Sequence, residues 1–167
     1  DPDVNLEFTV AEKSSFFQVS WNKKEQKNLM LGVNTSGLID VVDNNTVEGY
    51  ELYEDRIKVF FFIKTDKSFV SDTLWDGNRN ISAGFKHVES AGPVASLTFN
   101  VAEKEEVGIK MGISFVDAEQ ARKNLDKEIP DWDFNKLKDD AREIWNNALG
   151  KIEVKGGTAD QRTVFYT

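Results

Sequence analysis

From Val107 to Phe115 the chain alternates strictly: Val107, Ile109, Met111, Ile113 and Phe115 are apolar, and Gly108, Lys110, Gly112 and Ser114 fall between them. A period of two is that of a strand with one buried face. The pattern then changes to helix. Asp117 with Gln120 is placed to cap a first helix, and Asp133 to cap a second, with Trp132 just outside and Leu137 one turn in as a hydrophobic staple. Gly150 ends that second helix. A short extension, Ile152-Glu153-Val154-Lys155, leads to a Gly156-Gly157 turn, and Thr158 with Gln161 forms another helix start running into Arg162-Thr163-Val164-Phe165-Tyr166. So short a helix is marginal without something to pack against, so the pattern predicts a fragment boundary at Thr167 and a natural protein that continues.

Residues 1–116 read as all-β. Leu6-Phe8-Val10, Phe17-Val19-Trp21, Leu29-Leu31-Val33, Ile57-Val59-Phe61-Ile63, Ile81-Ala83-Phe85 and Leu97-Phe99-Val101 each alternate. Turn-forming clusters separate them: Asn22-Lys23-Lys24, Asn34-Thr35-Ser36-Gly37, Asp43-Asn44-Asn45, Asp76-Gly77-Asn78 and Ala91-Gly92-Pro93. Short strands at this spacing predict an antiparallel β-sandwich, with two linker α-helices behind it. There is no internal repeat or low-complexity tract. The composition shifts once, near Val116, where β-branched and aromatic alternation gives way to Ala, Lys, Glu and Asp.

A chain of 167 residues with 40% hydrophobic residues is long enough for one sizeable domain. Its 29 acidic and 21 basic residues give a net charge of -8, which repels phosphate backbones and acidic lipid; nucleic acid and anionic membrane are poor partners. The longest tight apolar cluster, Val59-Phe60-Phe61-Phe62-Ile63, is strand-sized and far short of the roughly 18 residues of a membrane span. With no cysteine, disulfides, thiolate catalysis and cysteine metal sites are excluded. The opening Asp1-Pro2, without a starting Met or signal peptide, predicts that an upstream part has been removed. Three glycosylation sequons, at Asn34, Asn44 and Asn80, are read as chance occurrences in Asn-rich turns.

Several residues invite a catalytic reading that their surroundings do not support. His87, the only histidine, has no Ser or metal-ligand context nearby. Asp131 and Asp133 resemble the paired carboxylates of a glycosidase, yet Asp133 stands where a helix-start acceptor belongs. Asp40, Asp43, Asn44 and Asn45 lack the regular spacing and trailing Glu of a calcium loop, and read as a polar turn. Gly108 and Gly112 imply close approach of a neighbouring strand or of the linker helix.

The aromatic residues carry the remaining candidates. Sugars stack on aromatic faces while charged or amide groups fix their hydroxyls, so Trp75 with Asp76 and Arg79 in a turn is the best sugar-contact set; a core Trp at a strand end is the competing reading. On the second helix Phe134, Leu137, Ala141, Ile144, Trp145 and Ala148 form one apolar stripe. With Trp132, Phe165 and Tyr166, Trp145 makes a candidate docking surface for a further domain, and an association hazard if left uncovered.

The run VGIKMGISFV, followed by NL, EIPDWDF, REIWNNAL, IEVKGGTADQ and RTVFYT, resembles the end of the N-terminal domain of glycoside hydrolase family 92 over roughly sixty residues, in order and spacing. Members of that family are calcium-dependent exo-acting α-mannosidases, mostly bacterial. The resemblance implies a supersandwich-like domain over 1–116, a helical linker over 117–155 and the start of a catalytic α/α toroid over 156–167. It implies no catalytic residue and no cofactor site in this chain, with calcium needed by the whole enzyme. It also implies the catalytic domain of the same polypeptide as partner, a mannose-containing glycan as that enzyme's substrate, and a periplasmic or secreted bacterial location. The alternative is an autonomous β-sandwich binding module for carbohydrate or protein.

Overall fold

The computed structural model describes residues 3–22, 27–54, 56–78, 86–152 and 154–165. Ten strands precede three helices: β1 (Val4–Val10), β2 (Ser14–Trp21), β3 (Lys27–Gly32), β4 (Ser36–Val41), β5 (Thr46–Tyr53), β6 (Ile57–Thr65), β7 (Phe69–Trp75), β8 (His87–Ala91), β9 (Val94–Phe99), β10 (Val107–Ser114), α1 (Ala118–Glu128), α2 (Phe134–Leu149) and α3 (Ala159–Phe165). Among the described residues the strands form a seven-stranded sheet, ordered β1-β2-β10-β6-β5-β4-β8, and a three-stranded sheet, ordered β3-β9-β7. Every pairing is antiparallel. The expected mainly β sandwich followed by helices is the fold observed.

The strand patterns explain why the large sheet has two apolar faces. Successive side chains of a strand point to opposite sides. In β2 this sends Phe17, Val19 and Trp21 toward the small sheet, where they join Ile63, Val107, Ile109, Leu97 and Phe99 in the main core. Phe16 points the other way and meets Phe62, Ala121, Leu125, Ile129 and Phe134 in a second core beneath the helices. The run Val59–Ile63 is continuously apolar because Phe62 and Ile63 serve different cores. Leu74, Ala95 and Leu97 are completely buried, which for a leucine side chain is worth about 1.5–3 kcal/mol.

The helix caps form as their sequences require. Asp117 Oδ1 accepts from the Gln120 amide at 2.6 Å, and Asp133 Oδ1 accepts from the Lys136 amide at 2.9 Å. Thr158 and Gln161 bond reciprocally: the Thr158 amide donates to Gln161 Oε1 and the Gln161 amide to Thr158 Oγ1. Gly156 and Gly157 take φ of +94° and +73°, a conformation that glycine adopts without steric cost, and so make the expected turn before α3. Gly150 ends α2 in right-handed helical conformation, its amide still donating to Asn146.

Four strands, β4, β5, β7 and β8, lie outside the segments whose alternation predicts a strand. The expected turn at Asn34–Gly37 lies partly inside β4, because Gly37 is a point of close packing: a Cβ there would stand 2.2 Å from the Tyr50 carbonyl oxygen. The expected strand over Ile81–Phe85 and the sequon at Asn80 lie outside the described residues. No helix among the described residues is long and apolar enough to cross a membrane.

Candidate functional site

The glycine spacing of β10 builds the join between sandwich and helices. A Cβ on Gly112 would come within 2.3 Å of the Ala121 carbonyl oxygen and 2.9 Å of Leu125 Cβ, so α1 lies directly on the strand. At Gly108 the closest neighbours are Phe16 and Trp132, both 3.2 Å from an added Cβ, with Asp66 at 3.3 Å. The neighbour implied by these glycines is therefore the linker region. Asp66 Oδ1 accepts from the Gly108 amide at 2.8 Å, and the Asp66 amide donates to the Gly108 carbonyl at 3.0 Å.

Between the glycines, Lys110 is 5% exposed. Its ammonium donates to the Ile129 carbonyl at 2.9 Å, at the end of α1, and lies 4.1 Å from the centre of the Trp132 ring. Burial pushes its pKa below the usual lysine range; the Lys64 charge lowers it further, while Asp126 and Asp131 oppose both. Trp132 also meets Phe16 edge to face, with ring centres 5.7 Å apart. Sequence reasoning passed over Lys110, whose signal was a lone charge between two glycines on a face that α1 must cover.

The candidate docking aromatics separate by environment. Trp132 is 39% exposed and bound largely within the chain, whereas Trp145 is 63% and Phe165 53% exposed. Tyr166 lies outside the described residues. The α2 stripe is buried at its first residue, Phe134, and opens along its length, leaving Ile144, Trp145 and Leu149 exposed. Together with Val10 of β1, the residues Leu137, Ala141, Ile144 and Trp145 line an open groove of about 560 Å³, with Lys127, Glu128 and Asp140 among its polar margins. The Lys138 ammonium, 3.1 Å from Glu7, ties α2 to β1 beside it.

The sugar-contact candidates sit elsewhere, at the end of β7. Trp75 is half-buried and pairs with Val94. Asp76 Oδ1 accepts from the Asn78 amide at 2.9 Å, and the Gly77 amide donates to Ser90 Oγ at 3.2 Å, so this carboxylate shapes a turn held against β8. Arg79 lies outside the described residues.

Other titratable groups are engaged in structure. His87 Nδ1 is 3.7 Å from Asp40 on the outer face of the large sheet. Asp43 Oδ1 accepts from the Asn45 amide, Asn45 Nδ2 donates to the Thr65 carbonyl, and Ser68 donates to Asn45 Oδ1, which uses the donors and acceptors of that turn internally. Among the described residues no group of three or more His, Asp or Glu side chains is placed to hold a metal ion. On α1, Arg122 binds Glu119 and Asp126, at 2.8 and 2.9 Å, and its hydrogen bonds hold the Glu119 carboxyl down to about 2.

Comparison with known proteins accounts for both halves of this arrangement. Residues 1–114 match the family model of the glycosyl hydrolase family 92 N-terminal domain, and residues 120–167 match that of the family's catalytic domain. The fold superposes on an inverting mannosidase of family GH92 from Bacteroides thetaiotaomicron with a TM-score of 0.88 and 25% identity, covering 98% of this chain and 23% of that one. A GH92 α-mannosidase from the same organism gives a TM-score of 0.83 at 21% identity, over 92% of this chain and 23% of that one. An uncharacterized secreted glycosidase of Arthroderma benhamiae is 30% identical over 96% of this chain, which spans 25% of that relative. Since the N-terminal-domain match alone takes in most of the sequence, the chain belongs to glycosyl hydrolase family 92.

Proposed function

We propose that this chain is the later part of the N-terminal domain of an exo-acting α-mannosidase, together with the helices that lead into its catalytic domain. The whole enzyme removes non-reducing terminal α-mannose, α-1,2-linked residues included, from mannose-containing glycans outside the cytoplasm. This portion braces the catalytic domain and helps shape the mannoside pocket, with Trp75 at the end of β7 its best-placed sugar contact. The observation that carries the bracing role is the open half of α2: Ile144, Trp145 and Leu149 form an exposed apolar stripe, uncovered among the described residues, within the part of the chain that matches the catalytic-domain model. An uncovered stripe of this kind marks a surface that meets another protein element. The described residues do not fit a calcium site, so no step through that ion is assigned to this chain; a calcium requirement belongs to the whole enzyme.

The test compares the 167-residue chain with the longer polypeptide that contains it, each assayed on α-mannosides with calcium and with a chelator. Release of mannose by the longer polypeptide alone, reduced by Trp145→Ala, is the expected result. A pure 167-residue chain that released mannose would overturn the bracing role. A longer polypeptide that binds glycans without hydrolysing them would favour an autonomous binding module.

A further inference from the structure

The two faces of β1 are treated differently. Glu7 and Thr9 face the helices: Glu7 meets Lys138, and Thr9 is buried. Val4, Leu6, Phe8 and Val10 face the other way and are 37%, 57%, 65% and 47% exposed. Their partners in β2 are Trp21, Val19, Phe17 and Ser15. Trp21 and Val19 are buried in the sandwich core and Phe17 packs against it, and Phe8 stacks on Phe17 with ring centres 6.0 Å apart. The β1 column is thus the lateral continuation of the main core, without the layer that covers the rest.

The missing cover follows from the sizes of the sheets. Seven strands face three among the described residues. The small sheet is anchored beside β8, at the edge of the large sheet opposite β1, by the Lys86–Asp72 ion pair and by the Gly77 amide donating to Ser90. Among the described residues it runs from β7 through β9 to β3, which is its last strand. Leu29 and Leu31 of β3 are only half-buried, whereas Leu74 of β7 and Leu97 of β9 are completely buried. On the same face of the large sheet, next to Val10 and Met111, Ser15 lines a depression of about 190 Å³, and its buried hydroxyl has no hydrogen-bond partner.

We propose that the exposed face of β1 is a docking surface for a further β-strand of the same polypeptide, contributed by residues outside 1–167 and added to the small sheet at its β3 edge. Such a strand covers Val4, Leu6, Phe8 and Val10 with one apolar face, satisfies the open edge of β3 through backbone hydrogen bonds, and brings a polar group to Ser15. A free sugar is a poor match, because the side chains of the column, Val4, Leu6, Phe8 and Val10, are all apolar. A second copy packed column to column leaves both the β3 edge and the Ser15 hydroxyl unmet. The relatives supply the length: this chain spans only 23% of the inverting mannosidase it superposes on. The inference does not rest on mannoside hydrolysis or on docking at α2.

Because the chain has no cysteine, Phe8→Cys creates a single thiol whose reaction with a maleimide reports cover directly. In the 167-residue chain at low concentration it labels fast; in the longer polypeptide, measured against its unsubstituted parent, labelling falls at least tenfold. Leu6→Cys, a smaller excision from the same face, repeats the measurement independently of any packing loss at Phe8. Equal rates in both contexts would overturn the proposal. So would slowing in the 167-residue chain that grows with its concentration to the same extent, since that identifies a second copy as the cover. Ile144→Cys is labelled in parallel: protection there without protection at Phe8 and Leu6 defeats this inference while leaving the α2 docking reading intact.

Discussion

The Lys110 ammonium lies 4.1 Å from the centre of the Trp132 ring while donating to the Ile129 carbonyl, so one strand residue holds both the end of α1 and the segment that enters α2. A cation over an indole face is attracted by the ring quadrupole, by about 2 kcal/mol when desolvated. A double-mutant cycle on Lys110→Met and Trp132→Leu, read by urea denaturation, should give a coupling energy of about 0.5–2 kcal/mol. Strict additivity would show that the two side chains are only neighbours.

Gly112→Ala should be costly. The new methyl meets backbone of α1 rather than a flexible side-chain end, so the helix must lift from β10. Overpacking of this kind costs about 1–3 kcal/mol, measured by the same denaturation. Gly32→Ala, whose new methyl would stand 3.7 Å from a Val94 methyl, is the control and should change stability far less.

Asp133→Ala removes the acceptor for the Lys136 amide and should cost about 0.5–2 kcal/mol. Amide exchange should rise in the first turn of α2 and stay unchanged in β6 and β10. A fall in mannoside binding without that local fraying would return Asp133 to the catalytic candidates.

The Glu119 carboxyl should titrate near 2, because Arg122 donates to it from the next turn of α1. With the folded value below the ordinary 4.5, the stabilisation is present above pH 4.5 and is lost as the pH falls toward 2. Carboxyl carbon NMR measures this directly. Arg122→Gln should return the midpoint toward the ordinary glutamate range.

Uncovered apolar surface on α2, where Ile144, Trp145 and Leu149 are exposed, should make the 167-residue chain self-associate as its concentration rises, measured by light scattering. Calcium should leave its melting temperature unchanged, since a tight site would raise it by mass action. A strict monomer at high concentration would argue against the α2 docking surface, and a saturable calcium shift would reopen the Asp40 to Asn45 turn.

Features that depend on neighbours along the chain can be read without the fold. The caps at Asp117, Asp133 and Thr158 act over three residues, and the alternation of β2, β6 and β10 is a property of each strand alone, so all were legible. Gly37 and Gly49 hid β4 and β5, because a glycine needed for close strand packing looks the same in a sequence as a glycine in a turn. Contacts between distant segments are what put β10 between β2 and β6, bury Lys110 under Trp132, and leave the best-formed alternating column, Leu6-Phe8-Val10, exposed. Alternation specifies which residues share a face. Whether that face is covered depends on strands brought together from distant parts of a polypeptide, and no local pattern carries that information.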